Sequence, residues 1–454
     1  MPYGTSDLIA QIKKEIENYR SGSVTIAEGI SYSQFKLVRR INYYKSQFYP
    51  KGKFDSQGNY KYWFDIISPR LNAEVKNVDF DTKDIAVASD ATGDAGRLLI
   101  ANARLKDFLR ETGEAAKLNT AVENGTADGN LVWKKIRGGY KILDLNNVMV
   151  LNQIAETLED SDVIEQECLY GADLRKKMDV WENVEELMKS AKPEYNQSSP
   201  EFYIYERNGE ICEKDYYAAL GKTGGSADTY LLAKVIVGGQ KKGDPTQLLY
   251  CEEITKKPYK EYHRGPFCGT WMRRGMYETL FDIQTRANEI GNQIARGLEW
   301  ASKTVFRSSD RVVAQNIVSD LLNGDIVKSV DLQQVETRMQ GLDQLIADWN
   351  RLMQLADQLA NSYEVVTGES APSGTPFRLQ AMNNLNANKL FDFIREKLSI
   401  AFQDVITEWI LPDLLKDLRA KDVLKLTDDG ALGRYYEMVV NDWYLNNLLA
   451  LPPH

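Results

Sequence analysis

The stretch Arg273–Lys303, RRGMYETLFDIQTRANEIGNQIARGLEWASK, decides how this chain is read. Met276, Leu280, Ile283, Ala287, Ile290, Ile294, Leu298 and Ala301 recur every three or four residues, the period of one helix face. Beside this apolar stripe runs a row of amides, Gln284, Asn288 and Asn292, each four apart. The remaining face carries Glu278, Asp282, Arg286, Glu289, Arg296 and Lys303. At 1.5 Å per residue such a helix is roughly 40 Å long. A narrow apolar seam with an uncharged polar flank suits packing beside copies of itself better than burial in a compact core. Buried amides need partners, so Gln284, Asn288 and Asn292 are expected to face neighbouring helices or water rather than the core of one chain.

Upstream, residues 201–259 differ in kind. FYIYERNGEI, TYLLAKVIVGG and QLLYCEEI read as strands, and Asn208-Gly209 is a hairpin-turn signal. Lys241 and Lys242 sit in one turn of this module, and Lys256, Lys257 and Lys260 at its exit. Before it, residues 5–20, 33–47, 95–112 and 115–124 read as helices, with Asn124-Gly125 and Asp128-Gly129 as breaks. Residues 60–67 are aromatic and fit a strand or the start of a buried helix. Residues 76–85 alternate and suggest a strand, with Val75, Val78 and Phe80 inward. Residues 131–136 and 140–145 form a hairpin across Arg137-Gly138-Gly139. Residues 163–188 read as helical, broken near Gly171, and a turn-rich linker follows at 192–200. Downstream, 306–330 is an excursion with a loop at Asn323-Gly324-Asp325. A second long helix with a near-heptad seam runs from Val335 through Met339, Leu342, Ile346, Trp349, Met353 and Ala356 to Tyr363. Thr367–Pro376 breaks it, a third helical run spans 377–418 with a kink or end at Pro412, and 420–454 looks helical with loops.

The 454 residues allow two or three domains, and 43% apolar residues can build real cores. A net charge of −9 argues against tight, sequence-independent nucleic-acid binding by the whole molecule. It leaves room for a protein that lets DNA slide past. Cys168, Cys212, Cys251 and Cys268 have no CxxC spacing, which points to a reducing compartment without a zinc knuckle or disulfide framework. No apolar run approaches the ~20 residues of a membrane span. The N-terminal amphipathic helix has no signal-peptide core. The chain is expected to be neither secreted nor membrane-spanning.

Catalytic constellations are missing. With His454 terminal, His263 stands alone and reads as a loop histidine, with no nucleophile-elbow sequence around it. Gly221-Lys222-Thr223 lacks the P-loop glycine, since Tyr216 stands where it belongs, and reads as a flexible turn. Asp79, Asp81 and Asp84 read as an exposed strand face rather than a metal site. Arg273 and Arg274 open the long helix, where cations oppose the macrodipole. They are candidates for phosphate contact or for intersubunit salt bridges, together with Arg307 and Arg311. The expectation is a non-enzyme without cofactor or metal.

The order of the parts resembles that of tailed-bacteriophage portal proteins, the head-to-tail connectors. SPRLNAEVKNVDFD (68–81) and ENGTADGNLVWKK (123–135) are similar to segments of the portal wing. IEQECLYGADLRKKMDVWENVEELM (164–188) resembles the helical segment before the clip, and 201–259 sits where the clip belongs. GMYETLFDIQTRANEIGNQI (275–294) is similar to the stem helix after the clip, and TGESAPSGTPFRLQAMN (367–383) to the turn after the kinked wing helix. Gly275, Gln284, Asn288, Ser373 and Gly374 match best, and the resemblance covers about 35–420. The chain looks most like portals of podovirus-type phages of gut bacteria, the crAss-like group, but little remains after Leu418 for a large crown.

The resemblance implies an α+β, mainly helical, portal-type fold. Its parts would be an N-terminal wing (1–160), a first stem region (161–197), a strand-rich clip (198–262) and a second stem helix (263–305). A channel loop (306–332), a kinked wing helix (333–376) and a C-terminal helical wing or crown (377–454) would follow. It also implies a dodecameric ring at one capsid vertex of the virion, assembled in the host cytoplasm. Double-stranded DNA would pass through the ring during packaging and ejection. The major capsid protein, the terminase and later head-completion or tail adaptor proteins would be partners. Within that frame Arg273, Arg274, Arg307, Arg311 and Lys328 are candidates for the DNA channel, and Lys241, Lys242, Lys256 and Lys257 for the clip or motor-docking surface. Gln284, Asn288 and Asn292 would lie at the stem interface or face the channel. Another virion head-tail adaptor or internal ring protein is the alternative.

Overall fold

A computed structural model describes residues 7–49, 51–55, 58–79, 82, 85–88, 95–189, 200–301, 305–307, 333–335, 341–360, 377–416 and 449–451. The chain is mixed α and β, about half of it helical. It opens with α1 (Asp7–Ser21), the hairpin β1 (Val24–Ala27) and β2 (Ile30–Tyr32), and α2 (Gln34–Lys45). Then come α3 (Ile67–Val78), β3 (Ala86–Ala88), α4 (Ala95–Glu111), α5 (Glu114–Asp128), β4 (Asn130–Ile136) and β5 (Gly139–Leu143). β6 (Val148–Val150), β7 (Val163–Tyr170), α6 (Gly171–Arg175) and α7 (Val184–Lys189) precede β8 (Glu201–Cys212), α8 (Glu213–Ala219), β9 (Tyr230–Gly239), β10 (Gln247–Glu253) and β11 (Tyr259–His263). The last elements are α9 (Met276–Ala301), β12 (Val305–Arg307), β13 (Gln333–Val335), α10 (Leu342–Ala360), α11 (Phe377–Val405), a π-helical turn at Ile406–Ile410, α12 (Leu411–Lys416) and β14 (Leu449–Leu451). The chain divides into two units. The first joins 1–42, 74–278 and 376–454, and the second joins 43–73 and 279–375.

The first unit is built on an antiparallel five-stranded sheet of order β10-β9-β8-β7-β6. Period-two alternation covers both its faces. Tyr205 and Ile211 of β8 and Ala233, Val235 and Val237 of β9 point to one side, where Leu8, Ile12, Ile16 and Tyr19 of α1 cover them. Phe202, Ile204 and Ile236 point to the other, under Leu174, Val184 and Leu187 of α6 and α7. The N-terminal amphipathic helix is therefore a core helix of this unit. A three-stranded sheet, β11-β4-β5, stands beside α11, with Phe402 5.9 Å from the Tyr140 ring and 6.3 Å from that of Trp133.

Several sequence expectations are corrected here. Residues 163–170 are not helical. VIEQECLY is β7, paired in full register with β8 and, through 163–165, with β6. The strand-rich region therefore shares one sheet with part of the expected first stem. Asn208-Gly209 is not a turn but the middle of β8, because strands on both sides (Asn208 opposite Val163 and Lys234) outweigh its turn preference. Residues 76–78, where a strand is expected to begin, are the last turn of α3, and Asn124-Gly125 lies inside α5, which ends at left-handed Gly129 (φ 75°). The hairpin at 131–145 forms as expected, with β4 and β5 in register from Val132–Leu143 to Ile136–Gly139. Residues 222–226 are a loop. Before Pro412 the helix widens by one residue, with Leu411 N–H bonded to Ile406 O, which makes room for the ring that lacks a donor.

In the second unit Phe64, from the segment at 61–66, meets Trp349 of α10 edge to face, 5.3 Å apart. Arg70 reaches Met353 O at 3.2 Å and Asp357 at 2.6 Å. The chain at 61–66 pairs with no strand among the described residues.

Candidate functional site

The amide row of α9 has a use that the helix period alone does not reveal. Gln284, Asn288 and Asn292 are 0, 3 and 8% exposed, and they hold the backbone of 62–66. Gln284 Oε1 accepts from Ile66 N–H at 3.0 Å and its Nε2 donates to Phe64 O at 2.5 Å. Asn288 Oδ1 accepts from Phe64 N–H at 2.9 Å. Asn292 Oδ1 accepts from Tyr62 N–H at 2.7 Å and its Nδ2 donates to Tyr62 O at 2.9 Å. One turn further, Arg296 pairs with Asp55 at 2.5 Å.

The spacing explains the fit. Four helical residues rise about 6 Å and two extended residues about 6.6 Å, so amides four apart meet every second residue of the passing chain. The amides act as the missing strand neighbour for 62–66. The expectation that they stand outside the core of one chain is corrected, since all three are buried and hydrogen-bonded within their own unit. The apolar stripe is likewise buried from Met276 to Ile290, and Leu298 is its exposed described member.

The approach to α9 is fastened in the first unit. Asn130 Nδ2 donates to Asp128 O and Arg273 O, and its Oδ1 accepts from Arg273 N–H at 2.7 Å and meets His263 Nδ1 at 2.8 Å. Gly129 and Gly275 allow the two backbones to touch: a Cβ on Gly129 would lie 2.5 Å from Gly275 N. His263 Nε2 lies 3.2 Å from Glu261, whose carboxylate also takes Trp271 Nε1–H at 2.6 Å. The histidine is thus a clamp member, and its partners among the described residues are Asn130 and Glu261.

The basic candidates separate. Arg273 is buried, its guanidinium donates to Thr270 O and Glu156 O and covers the Phe267 ring, and burial lowers its pKa. Lys257 is buried and donates to Leu158 O, Glu159 O and Ser161 O. Neither is presented to DNA or a motor, which corrects both assignments: their donors satisfy carbonyls that no strand or helix serves. Lys256 pairs with Glu408 at 3.1 Å, beside Lys260 at 2.6 Å. Arg274 is exposed, 3.7 Å from Glu278. Lys241 and Lys242 are exposed in the β9–β10 turn. Arg307 lies in β12, where only the backbone is described. Arg311, Lys328, Asp81, Asp84, Ser373, Gly374, the 308–332 loop and the 367–376 turn lie outside the described residues.

Sequence reading missed a buried ionic network that ties the two sheets. Lys134 of β4 bonds Glu165 of β7 and reaches Glu206 of β8 at 2.7 Å, and Lys141 joins Glu165. Burial works against charge here, but Lys134 and Lys234 hold the Glu206 carboxyl below its usual range. Burial likewise opposes the Lys134 charge, yet Glu206 and Glu165 keep its pKa above the usual value. Arg207, also buried, bonds Glu15 and Asp162 at 2.9 and 2.6 Å. An open cleft of about 970 Å³ lies between α1 and the 151–162 loop. Among the described residues no group of three His, Cys, Asp or Glu could hold a metal, and no helix is long and apolar enough to cross a membrane. No protein-family model matches the chain, and no curated protein matches it.

Proposed function

We propose that the chain is the subunit of a phage portal, a ring at one capsid vertex through which double-stranded DNA is packaged and ejected. The observation that carries this reading is α9 in its context. A 26-residue helix follows directly on a strand-rich region and carries Gln284 and Asn288 at the spacing of the portal stem helix. A non-enzymatic role accords with the engagement of His263 and Arg273 in structural clamps. In this reading the terminase, then head-completion or tail proteins, dock on the ring. The exposed cations Lys241, Lys242 and Arg274 would make weak, salt-screened contacts suited to sliding. The ring needs no cofactor and works in the virion.

One observation favours the second reading, a head-tail adaptor or internal ring protein. A portal stem pairs two helices, and 163–170, where the first would begin, is a strand. Mass photometry and negative-stain imaging of the purified full chain test both. The portal reading expects closed rings of one subunit number that bind the capsid protein and the terminase. Rings that bind tail components but neither of those would establish the adaptor. A monomer at every concentration and ionic strength would overturn the ring altogether.

A further inference from the structure

The hairpin that leads into the amide-held segment leaves its aromatic rings largely uncovered by the described residues. Phe54 and Tyr60 form an antiparallel bridge, Lys61 N–H donates to Lys53 O at 2.8 Å, and Asp55 N–H to Asn59 O at 3.0 Å. Phe54, Tyr60 and Tyr62 are 60, 47 and 55% exposed. Their rings still meet edge to face, at 5.8 Å between Phe54 and Tyr60 and 5.4 Å between Tyr60 and Tyr62. Three rings left half open and in contact form one contiguous aromatic surface, of the residue types enriched at the core of protein interfaces.

The support behind the rings is rigid. Both backbone polar groups of Tyr62 are bound by Asn292, Tyr49 Oη donates to Tyr62 O at 2.8 Å, and Arg296 fixes Asp55. With the Tyr62 backbone held by Asn292 and Asp55 held by Arg296, the patch is organised before any partner arrives. Its rim is cationic. Between 51 and 61 stand Lys51, Lys53 and Lys61 against Asp55, and Arg296 already pairs with that aspartate.

We propose that this hairpin docks on a second copy of the chain, in a head-to-tail contact with the acidic cleft of that copy's first unit. The inference rests on the ring reading and names the surfaces that build the ring. Two hairpins could not meet symmetrically, since their lysines would oppose each other, so the contact joins different surfaces. A heterologous contact of that kind closes into a ring when its rotation closes. The chain supplies a complementary surface. Glu159, Asp160 and Glu210 are exposed on the wall of the 970 Å³ cleft, and Lys257, the one Lys or Arg lining it, is turned into backbone carbonyls. An aromatic patch with a lysine rim entering an acid-walled cleft has the core-and-rim pattern of a protein interface.

The test uses the full chain and mass photometry. Lys51→Glu with Lys53→Glu, and separately Phe54→Ser with Tyr60→Ser, each lower the assembled fraction at least tenfold, with unchanged circular dichroism. Glu159→Lys with Asp160→Lys does the same, and mixing this acid-reversed chain with the lysine-reversed chain restores assembly. If the parent forms rings and the hairpin variants form them equally well, the docking proposal fails while the ring stands. A parent that never self-associates overturns both. Loss of assembly without rescue by mixing removes the cleft as the mate. If the lysine reversal leaves rings intact but abolishes binding of a single-stranded oligonucleotide, the patch is a nucleic-acid platform and the proposal is wrong.

Discussion

Replacing Gln284 by leucine isolates the amide clasp. The side chains have similar volume, so the main change is loss of one acceptor and one donor at a site that is 0% exposed. Ile66 N–H and Phe64 O then lose their partners, at 3.0 and 2.5 Å in the parent. A buried polar group left unpaired costs about 1–3 kcal/mol. Apolar burial of leucine offsets part of the sum, leaving a net loss of about 2–4 kcal/mol. With a urea slope of about 1–3 kcal/mol per molar, the unfolding midpoint falls by roughly 1–4 M. Hydrogen exchange reads the same loss locally: about 3 kcal/mol speeds exchange at Ile66 about a hundredfold, if 62–66 opens independently. Arg286→Gln is the control, since that exposed arginine holds surface pairs with Glu289 and Asp348, and it should stay within about 0.5 kcal/mol. Should Gln284→Leu match this control in midpoint and in Ile66 exchange, the clasp contributes nothing and the account of α9 is wrong.

Two other outcomes follow from the same geometry. The Glu206 carboxyl is held below its usual value in the folded chain, so its stabilisation is present above the unfolded pKa of about 4.3 and is lost as pH falls through the folded value. Unfolding free energy measured in urea from pH 6 to pH 2 should therefore fall in acid, and Glu206→Gln should flatten that fall. An unchanged acid slope would refute the assignment. Lys257→Met strips the donor from three carbonyls, two of them in buried hydrogen bonds, and should lower the thermal midpoint by several degrees, whereas Lys241→Glu, on an exposed turn, should leave it in place. Equal effects of the two would place Lys257 back on the surface.

The sequence made some elements legible and misled on others for identifiable reasons. α1, α2, α4, α9, α10 and the β4–β5 hairpin follow from period and turn chemistry. VIEQECLY at 163–170 carries a pattern that either structure accepts, and its neighbours in the sheet decide it. The same holds for Asn208-Gly209, a good turn in isolation and a strand between two others. The hairpin patch and the Lys134 network left only faint traces: aromatics at every second residue from Tyr60 to Phe64, and lysines and glutamates scattered over separate strands.

What the sequence determined by itself is what its own neighbours in the chain can satisfy. A helix closes its hydrogen bonds four residues away, so α9 was readable from 276–301 alone. The tertiary structure decided whatever needs a distant partner. Gln284 reads as an amide in search of a mate, and only the fold brings Ile66, 218 residues earlier, to within a hydrogen bond of it. Arg273 and Lys257 read as free cations, and only the fold turns them inward onto carbonyls. Burial is a property of the assembled chain, and it separates a charge that fastens the protein from one that is offered to a partner.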